Sequence, residues 1–156
     1  TDSLCATVTD SLVNYIKMKG GFIVLGVLLV AATIRAEDYI DMYLGLMKDP
    51  ILTCAKENGY TGEVNAREIF DKEVNLGEEN ATCLRACVMK MGAFMQHSKI
   101  NKHNVNTFLG VIHGENPELL KKLEKGASEC IDKVDDIADE CKKAYVYIQC
   151  FLDKHA

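Results

Sequence analysis

Residues 83–87 read Cys-Leu-Arg-Ala-Cys, and residues 141–150 read Cys-Lys-Lys-Ala-Tyr-Val-Tyr-Ile-Gln-Cys. Residues four apart lie on one face of an α-helix, so Cys83 and Cys87 share a face and are poorly placed to bond each other. Cys141 and Cys150 are nine residues apart, which places them on opposite sides of a helix. Both stretches therefore favour disulfides between helices over disulfides within one helix.

Six cysteines form the framework to which these stretches belong. The seventh, Cys5, lies in the N-terminal segment, and gaps of 28, 3, 42, 10 and 8 residues separate the others, which are Cys54, Cys83, Cys87, Cys130, Cys141 and Cys150. Six cysteines allow many pairings, and the sequence by itself selects none of them. Zinc sites usually show C-x2-C knuckles or closely spaced Cys/His pairs, and neither occurs here. We therefore predict structural disulfides and no metal.

The N-terminal segment carries an uncharged apolar run of about 11 residues at positions 22–32, which is shorter than the roughly 20 residues of a membrane span. Met18 and Lys19 precede the run and Ala36 follows it, as in a secretory signal peptide. We predict a signal peptide at residues 18–36, cleaved after Ala36, with a cut after Ala32 as the alternative. Residues 1–17 are then upstream translated sequence. A buried N-terminal helix is the other interpretation of the run.

The sequence from residue 37 to residue 156 indicates helices throughout. No stretch alternates as a strand does, and no Asn-Gly or Asp-Gly turn joins two strand-like runs. Apolar residues recur at helical spacing, and the pairs at 49–50 and 116–117 predict a helix cap followed by proline in the first turn. We predict an all-α fold, a compact bundle of about six helices near residues 39–58, with a restart at 51, and near 66–73, 79–95, 101–113, 117–134 and 139–152.

The cysteine spacing resembles that of the six-cysteine insect odorant-binding proteins, the pheromone/general odorant-binding family. The resemblance covers residues 37–156 and is most specific in the gaps of 3 and 8 residues. It implies three disulfides, Cys54–Cys87, Cys83–Cys141 and Cys130–Cys150. It also implies that these bonds cross-link the bundle around an apolar cavity, in which the protein encloses a small hydrophobic ligand.

The predicted cavity wall is drawn from the larger apolar and aromatic side chains of the helices. The candidates are Tyr43, Met47, Phe70, Met91, Phe94, Met95, Phe108, Ile112, Leu120, Tyr145, Ile148 and Phe151. Methionine adapts to varied shapes, which suits a pocket of broad specificity. Tyr145 or Tyr147 can offer a hydroxyl to a carbonyl or an alcohol on the ligand. Ordinary core packing is the alternative role for each of these residues.

Charge and motifs narrow the functional class. The formal net charge of −5 argues against a nucleic-acid partner, and the catalytic signatures of serine hydrolases, phosphate-loop enzymes and zinc proteases are missing, so we predict neither an enzyme nor a cofactor. The resemblance implies a secreted, extracellular carrier of odorants, pheromones or similar semiochemicals in sensillar lymph or another body fluid. It would be a monomer or weak homodimer without stable membrane insertion, and an olfactory receptor is a further partner. The alternative is a secreted helical interaction factor of venom, saliva or haemolymph.

Two further features concern titration and modification. The four histidines, His97, His103, His113 and His155, belong to the residue type that can loosen a fold in acid, but we expect them at the surface and predict only modest pH dependence. Asn80-Ala81-Thr82 is an N-glycosylation sequence in a chain predicted to be secreted. Asn80 also stands where the helix near 79–95 begins, and we favour the helix cap as its role.

Overall fold

A computed structural model describes residues 36–155 of the chain, and the side chains of residues 39–154. The described residues form seven α-helices, one 3-10 helix and one two-stranded hairpin. In chain order these are α1 (Ala36–Leu46), α2 (Lys48–Glu57), α3 (Ala66–Val74), the 3-10 helix Glu78–Asn80, α4 (Leu84–Met91), β1 (Met95–Gln96), β2 (Lys99–Ile100), α5 (Lys102–His113), α6 (Pro117–Val134) and α7 (Glu140–His155). The all-α prediction is confirmed. The predictions for residues 1–17 and 18–36 lie outside the described residues, except that Ala36 begins α1.

Asparagine side chains cap three of the helices, and the cap at Asn116 is one that the sequence predicts. The side-chain oxygen of Asn65 accepts a hydrogen bond from the backbone of Glu68 at 2.9 Å, and Asn101 and Asn116 do the same at 3.1 Å for α5 and α6. Each cap satisfies a backbone N–H that has no partner inside the helix. These helix starts are local events, because the donor lies three residues from the cap.

The junction between α1 and α2 differs from the prediction by two residues. We expected Asp49 to cap the second helix and Pro50 to open it, but α2 begins at Lys48 and its N-cap is Met47, which makes no side-chain capping bond. Pro50 is therefore the third residue of α2 and still lies within its first turn. Backbone N–H groups in the first turn have no partner inside the helix, so the N–H that proline lacks costs no hydrogen bond. The helix ends at Glu57 with Asn58 as its C-cap, which is where the sequence predicts its end, and Gly59 follows at φ +86°.

A hairpin replaces the C-terminal part of the helix predicted near 79–95. Helix α4 ends at Met91, and Met95 belongs to β1, which pairs antiparallel with β2. The prediction of helix to residue 95 was wrong because Ala93 lies at φ 58°, outside the helical conformation. The hairpin was not predicted because His97 and Ser98 form its turn at φ 49° and 61°, a conformation that the sequence signals for hairpins assign to Gly or Asn. Glu140 of α7 accepts hydrogen bonds from the backbone N–H and hydroxyl of Ser98, and these contacts stabilise the costly turn.

Three disulfides join the helices. Cys54–Cys87 links α2 to α4, Cys83–Cys141 links the start of α4 to α7, and Cys130–Cys150 links α6 to α7. The Cα–Cα distances are 5.7, 4.7 and 5.8 Å, within the range that unstrained bridges adopt. The pairs are those that the resemblance implies. As the cysteine spacing requires, Cys83 and Cys87 reach different helices, and so do Cys141 and Cys150.

Buried apolar side chains form three clusters. The first contains Met89, Met95, Cys130, Val134 and Tyr147, the second Leu44, Ile51, Cys54, Ile69 and Leu84, and the third Val105, Leu109, Leu123 and Ala127. Phe94 and Ile100 pack against both the first and the third cluster. Within the described part of the chain, no helix is long and apolar enough to cross a bilayer.

Candidate ligand-binding site

A hydrogen-bonded pair of polar rings lies between α1 and α5. The Tyr43 hydroxyl is 2.6 Å from Nε2 of His113, although the two residues are 70 positions apart in the chain. The Tyr39 ring packs against the same imidazole, with 4.4 Å between ring centroids. Tyr39 and Tyr43 are one helical turn apart on α1, so both face His113 at the end of α5.

Burial fixes the protonation states of this pair. Burial, reinforced by Tyr39, raises the pKa of Tyr43 to about 12, so its hydroxyl stays neutral. Burial lowers the pKa of His113, which favours the neutral imidazole at physiological pH. His113 Nδ1 is buried and has no hydrogen-bond partner among the residues described. The imidazole therefore has one nitrogen occupied by Tyr43 and one with unused hydrogen-bonding capacity.

The position of His113 corrects the expectation that the histidines lie at the surface. His97 and His103 are exposed as expected, whereas only 4% of the His113 surface is accessible. His113 follows the buried Leu109 by four residues, so it continues the apolar face of α5. That spacing was the signal in the sequence that could have identified it as an interior residue.

Five aromatic residues from four parts of the fold, one of them Tyr43 of the polar pair, form a group that we call the aromatic cluster: Tyr43, Phe94, Phe108, Tyr147 and Phe151. Ring centroids of Phe108 are 5.6 Å from Tyr43 and 5.1 Å from Phe94, and Tyr147 stacks on Phe151 at 6.4 Å. These separations are typical of favourable aromatic pairs. All except Tyr147 are only partly buried. Four of the five rings therefore keep part of their surface accessible to solvent.

Tyr147 offers a hydroxyl at this site. The residue is buried, and burial, with a contribution from nearby Tyr43, raises its pKa far above the usual value. Among residues 39–154 its hydroxyl makes no hydrogen bond, whereas most buried tyrosine hydroxyls find a partner. A neutral hydroxyl in apolar surroundings without a partner can bond a polar group on a bound molecule.

The structure divides the twelve predicted wall residues among several environments. Tyr43, Phe94, Phe108, Leu120 and Phe151 lie together, at the aromatic cluster and the third apolar cluster. Met95 and Ile148 belong with the first cluster, and Met47 and Phe70 with the second. Ile112 is buried on α5, while 51% of the Met91 surface is exposed. Sequence reasoning missed His113 and Tyr39, and it named Tyr147 only as a hydroxyl donor.

Tyr145 occupies a different environment from Tyr147, although both lie on α7. The Tyr145 hydroxyl donates to the backbone oxygen of Leu76 at 3.1 Å, and the Arg85 guanidinium lies over its ring at 4.4 Å. Arg85 in turn pairs with Glu73, and both are almost fully buried. Of the two hydroxyls that the sequence offers as ligand partners, that of Tyr145 is already used by the fold.

A groove of about 480 Å³ opens to solvent elsewhere on the molecule. Its lining residues are Asn58, Gly59, Tyr60, Thr61, Val64, Glu68, Ile69, Lys72, Leu76, Asn80 and Thr82. None of the twelve predicted wall residues is among them. The groove carries charged and amide side chains beside a few apolar ones, so it differs in character from the aromatic cluster.

One group of side chains among the described residues brings possible metal-ligand atoms together, namely Cys54, Glu57 and Cys87. The two sulfur atoms are bonded to each other in a disulfide. Metal binding requires the thiolate form, which a disulfide cannot supply. We therefore assign no metal centre to this group.

Comparison with known proteins gives the same family as the cysteine spacing. A search of curated proteins finds no match to this chain. The model of the PBP/GOBP family matches residues 43–154, which contain all three disulfides and the whole aromatic cluster. Members of this family are secreted carriers of small hydrophobic ligands such as odorants and pheromones. With seven α-helices and three interhelical bridges within residues 36–155, the chain belongs to the PBP/GOBP family of insect odorant-binding proteins.

Proposed function

We propose that this protein is a secreted carrier that binds a small lipophilic molecule, an odorant, pheromone or similar semiochemical, at the aromatic cluster. The observation that carries the proposal is the combination of partly buried rings with the unpartnered Nδ1 of His113 and a Tyr147 hydroxyl for which no hydrogen bond is found among residues 39–154. Such a site suits a mostly apolar ligand that carries one alcohol or carbonyl group. It would ferry this ligand through aqueous extracellular fluid.

The disulfides support a carrier role because two of them hold α7, the helix that contributes Tyr147 and Phe151. Cys130–Cys150 joins α6 to α7 next to Phe151, and Cys83–Cys141 fixes the other end of α7. Protein interiors normally pack without voids. Cross-links compensate for packing contacts that a ligand space removes, since each long loop closed contributes about 3–4 kcal/mol in the chain-entropy model.

The expected affinity is modest. Burying about 300 Å² of apolar ligand surface contributes about 7–8 kcal/mol before the costs of association. The remaining free energy corresponds to dissociation constants of roughly micromolar or weaker. A hydrogen bond to Tyr147 or His113 would add about 0.5–1.5 kcal/mol for an oxygenated ligand. Modest affinity suits a carrier, which has to release what it binds.

A pair of glycine variants tests the location of the site. A Cβ atom at Gly92 would come within 2.5 Å of the Phe94 ring and 2.8 Å of the Met47 methyl group, whereas a Cβ at Gly110 meets nothing within 4 Å. We expect Gly92→Ala to displace Phe94 and to weaken binding of a phenylnaphthylamine fluorescent probe several-fold. Gly110→Ala is the matched control and should bind the probe like the wild type.

Competition experiments with the same probe test the function itself. Aliphatic alcohols, aldehydes and esters of graded length should displace it from the wild-type protein with micromolar inhibition constants. Absence of probe binding, with intact disulfides and helical circular dichroism, would refute the carrier function and favour a factor that acts through its surface. Equal binding by both glycine variants would instead refute the location.

A further inference from the structure

Asn80-Ala81-Thr82 is a sequence that the carrier function does not use. It is the single place in the 156 residues where Asn is followed two positions later by Ser or Thr without an intervening proline. That pattern is the acceptor for N-linked sugars in secreted chains. We infer that Asn80 carries an N-linked oligosaccharide in the mature protein. The inference rests on the proposed secretion and is independent of ligand binding.

The helix-cap role that the sequence analysis favoured for Asn80 is not the one that the structure shows. Helix α4 begins at Leu84 and its N-cap is Cys83, so Asn80 lies three residues before the cap. Asn80 is instead the last residue of the 3-10 helix and is exposed. In the described part of the chain, its amide nitrogen donates one hydrogen bond, to Glu79 at 3.2 Å. An amide with one sugar attached keeps one N–H and can still make that bond.

The order of synthesis leaves Asn80 accessible before the nearest disulfide forms. Cys83 is bonded to Cys141, which follows it by 58 residues. At about 5–20 residues per second, roughly 3–12 seconds pass before Cys141 has been synthesised. During that time the segment around Asn80 is not held by this bridge. The nearby cysteine therefore does not prevent transfer of the sugar.

The folded protein also has space for a sugar at this position. Asn80 and Thr82 line the open groove of about 480 Å³, together with Tyr60 and Lys72. Because the groove opens to solvent, an oligosaccharide can lie along it without displacing a buried side chain. No member of the aromatic cluster lines the groove, so the modification leaves the proposed ligand site uncovered.

The reaction is a group transfer from a lipid-linked donor in the secretory pathway. The donor is an oligosaccharide whose first sugar is joined through C1 to a lipid diphosphate. A bond forms between Asn80 Nδ2 and C1 while the bond between C1 and the phosphate oxygen breaks. The lipid diphosphate leaves with the bonding electrons, and the proton that Nδ2 loses passes to the buffered solvent. No oxidant or reductant is required.

Thr82 has a second role that the experiment must respect. Its hydroxyl donates to the buried carboxylate of Glu73 at 3.1 Å and accepts from the backbone N–H of Leu84 at 3.2 Å. Removing this hydroxyl would disturb the fold as well as the acceptor sequence. Thr82→Ser keeps the hydroxyl and the sequence, and Asn80→Gln removes the acceptor while leaving Thr82 intact.

The test uses the full chain, expressed in insect cells behind a heterologous secretory leader, so that entry into the secretory pathway does not depend on the chain's own N-terminal segment. Intact mass is measured before and after treatment with peptide N-glycosidase. We expect a heavier species that returns to the polypeptide mass, with the tryptic peptide 73–85 carrying Asp at position 80 after release. Thr82→Ser should remain glycosylated, and Asn80→Gln should show the polypeptide mass alone.

The inference is overturned if the secreted wild-type protein has the polypeptide mass and the glycosidase changes neither it nor the 73–85 peptide. Binding of the phenylnaphthylamine probe is measured on the same samples. A glycosylated protein that fails to bind the probe would refute the carrier function while supporting the modification. An unglycosylated protein that binds the probe would refute the modification while supporting the carrier function.

Discussion

Two polar regions inside this fold differ in how completely the protein uses their hydrogen-bonding groups. In the Glu73–Arg85 region, Glu73 accepts from Tyr60 at 2.7 Å and from Thr82 at 3.1 Å, and Arg85 donates to backbone oxygens of Glu73 and Tyr145. In the Tyr43–His113 region, one hydrogen bond is formed, and His113 Nδ1 and the Tyr147 hydroxyl remain without partners within residues 39–154.

This difference distinguishes polar groups that stabilise the fold from polar groups that are available to a ligand. Buried polar groups are costly unless they are hydrogen-bonded. Glu73 Oε2 lacks a hydrogen bond, but the Arg85 guanidinium faces it at 4.0 Å and supplies opposite charge. The fold therefore satisfies the first region by itself. In the second region, His113 Nδ1 and the Tyr147 hydroxyl are left without hydrogen bonds by the described residues. A polar atom on a bound ligand can supply such a hydrogen bond.

The largest expected effect comes from breaking the satisfied region. Arg85→Met removes the cation and leaves Glu73 buried without a counter-charge, so we expect a loss of about 3–5 kcal/mol in the free energy of unfolding. Denaturant unfolding with the disulfides intact measures this loss. Probe affinity of the folded fraction should stay unchanged. A loss below about 1 kcal/mol would show that the pair is not a structural unit.

Tyr43→Phe should have the next largest effect. The substitution removes the hydroxyl that bonds His113 and leaves Nε2 buried without a partner, which costs about 1–3 kcal/mol. Tyr39→Phe is the matched control on the same helix, because no hydrogen bond of the Tyr39 hydroxyl is found among the described residues. Equal thermal midpoints for the two variants would contradict the importance of the Tyr43–His113 bond.

Acid should weaken the second region. Because burial lowers the pKa of His113, the unfolded chain takes up its proton at a higher pH than the folded protein does. Stability from this group is full above the unfolded pKa of about 6.5 and falls as the pH drops toward the folded value. We expect the thermal midpoint to fall between pH 7 and pH 5, and His113→Gln to flatten that fall. His103→Gln, at an exposed position, should leave the pH profile unchanged.

Ligand binding itself should respond only modestly to pH over the same range. The two effects are separable because the stability change concerns the unfolded reference state, whereas affinity is measured on folded protein. A probe titration showing a tenfold loss of affinity between pH 7 and pH 5 would contradict this expectation. It would indicate that protonation of the interior alters the folded site.

The smallest effect distinguishes two tyrosines on one helix. Tyr147→Phe should leave stability unchanged within about 0.5 kcal/mol, since no hydrogen bond is lost, but it should weaken binding of alcohols about threefold to tenfold relative to hydrocarbons. Tyr145→Phe removes the bond to Leu76 and should cost about 1 kcal/mol of stability without this change in selectivity. If Tyr145→Phe weakened alcohol binding and Tyr147→Phe lowered stability instead, Tyr145 would belong to the ligand site and Tyr147 to the structural polar region.

Much of the fold could be predicted because its signals are local or covalent. The caps at Asn65, Asn101 and Asn116 depend on a backbone donor three residues away, and the cysteine spacing indicated the disulfide framework. The hairpin at residues 95–100 could not be predicted, because its turn is held by Glu140 from another helix. The start of α2 was misplaced for a related reason, since the boundary at Met47 has no capping side chain in the sequence.

The candidate site could be predicted only in part. The sequence named aromatic and apolar residues, and five of the twelve lie together at or beside the aromatic cluster. Their grouping depends on how α1, α5 and α7 pack, which no local pattern encodes. Tyr43 and His113 are 70 residues apart, and Tyr145 and Tyr147 differ in role although they are neighbours on α7.

The sequence by itself determined the helices, most of their ends and the six-cysteine framework, because propensity, capping and covalent chemistry act over a few residues or through fixed bonds. Only the tertiary structure decided which polar groups satisfy one another. Arg85 lies between two cysteines of the stretch that identifies the family, yet its partner Glu73 is found by packing alone. Hydrogen bonding requires atoms to meet within about 3 Å, and that proximity is a property of the packed helices.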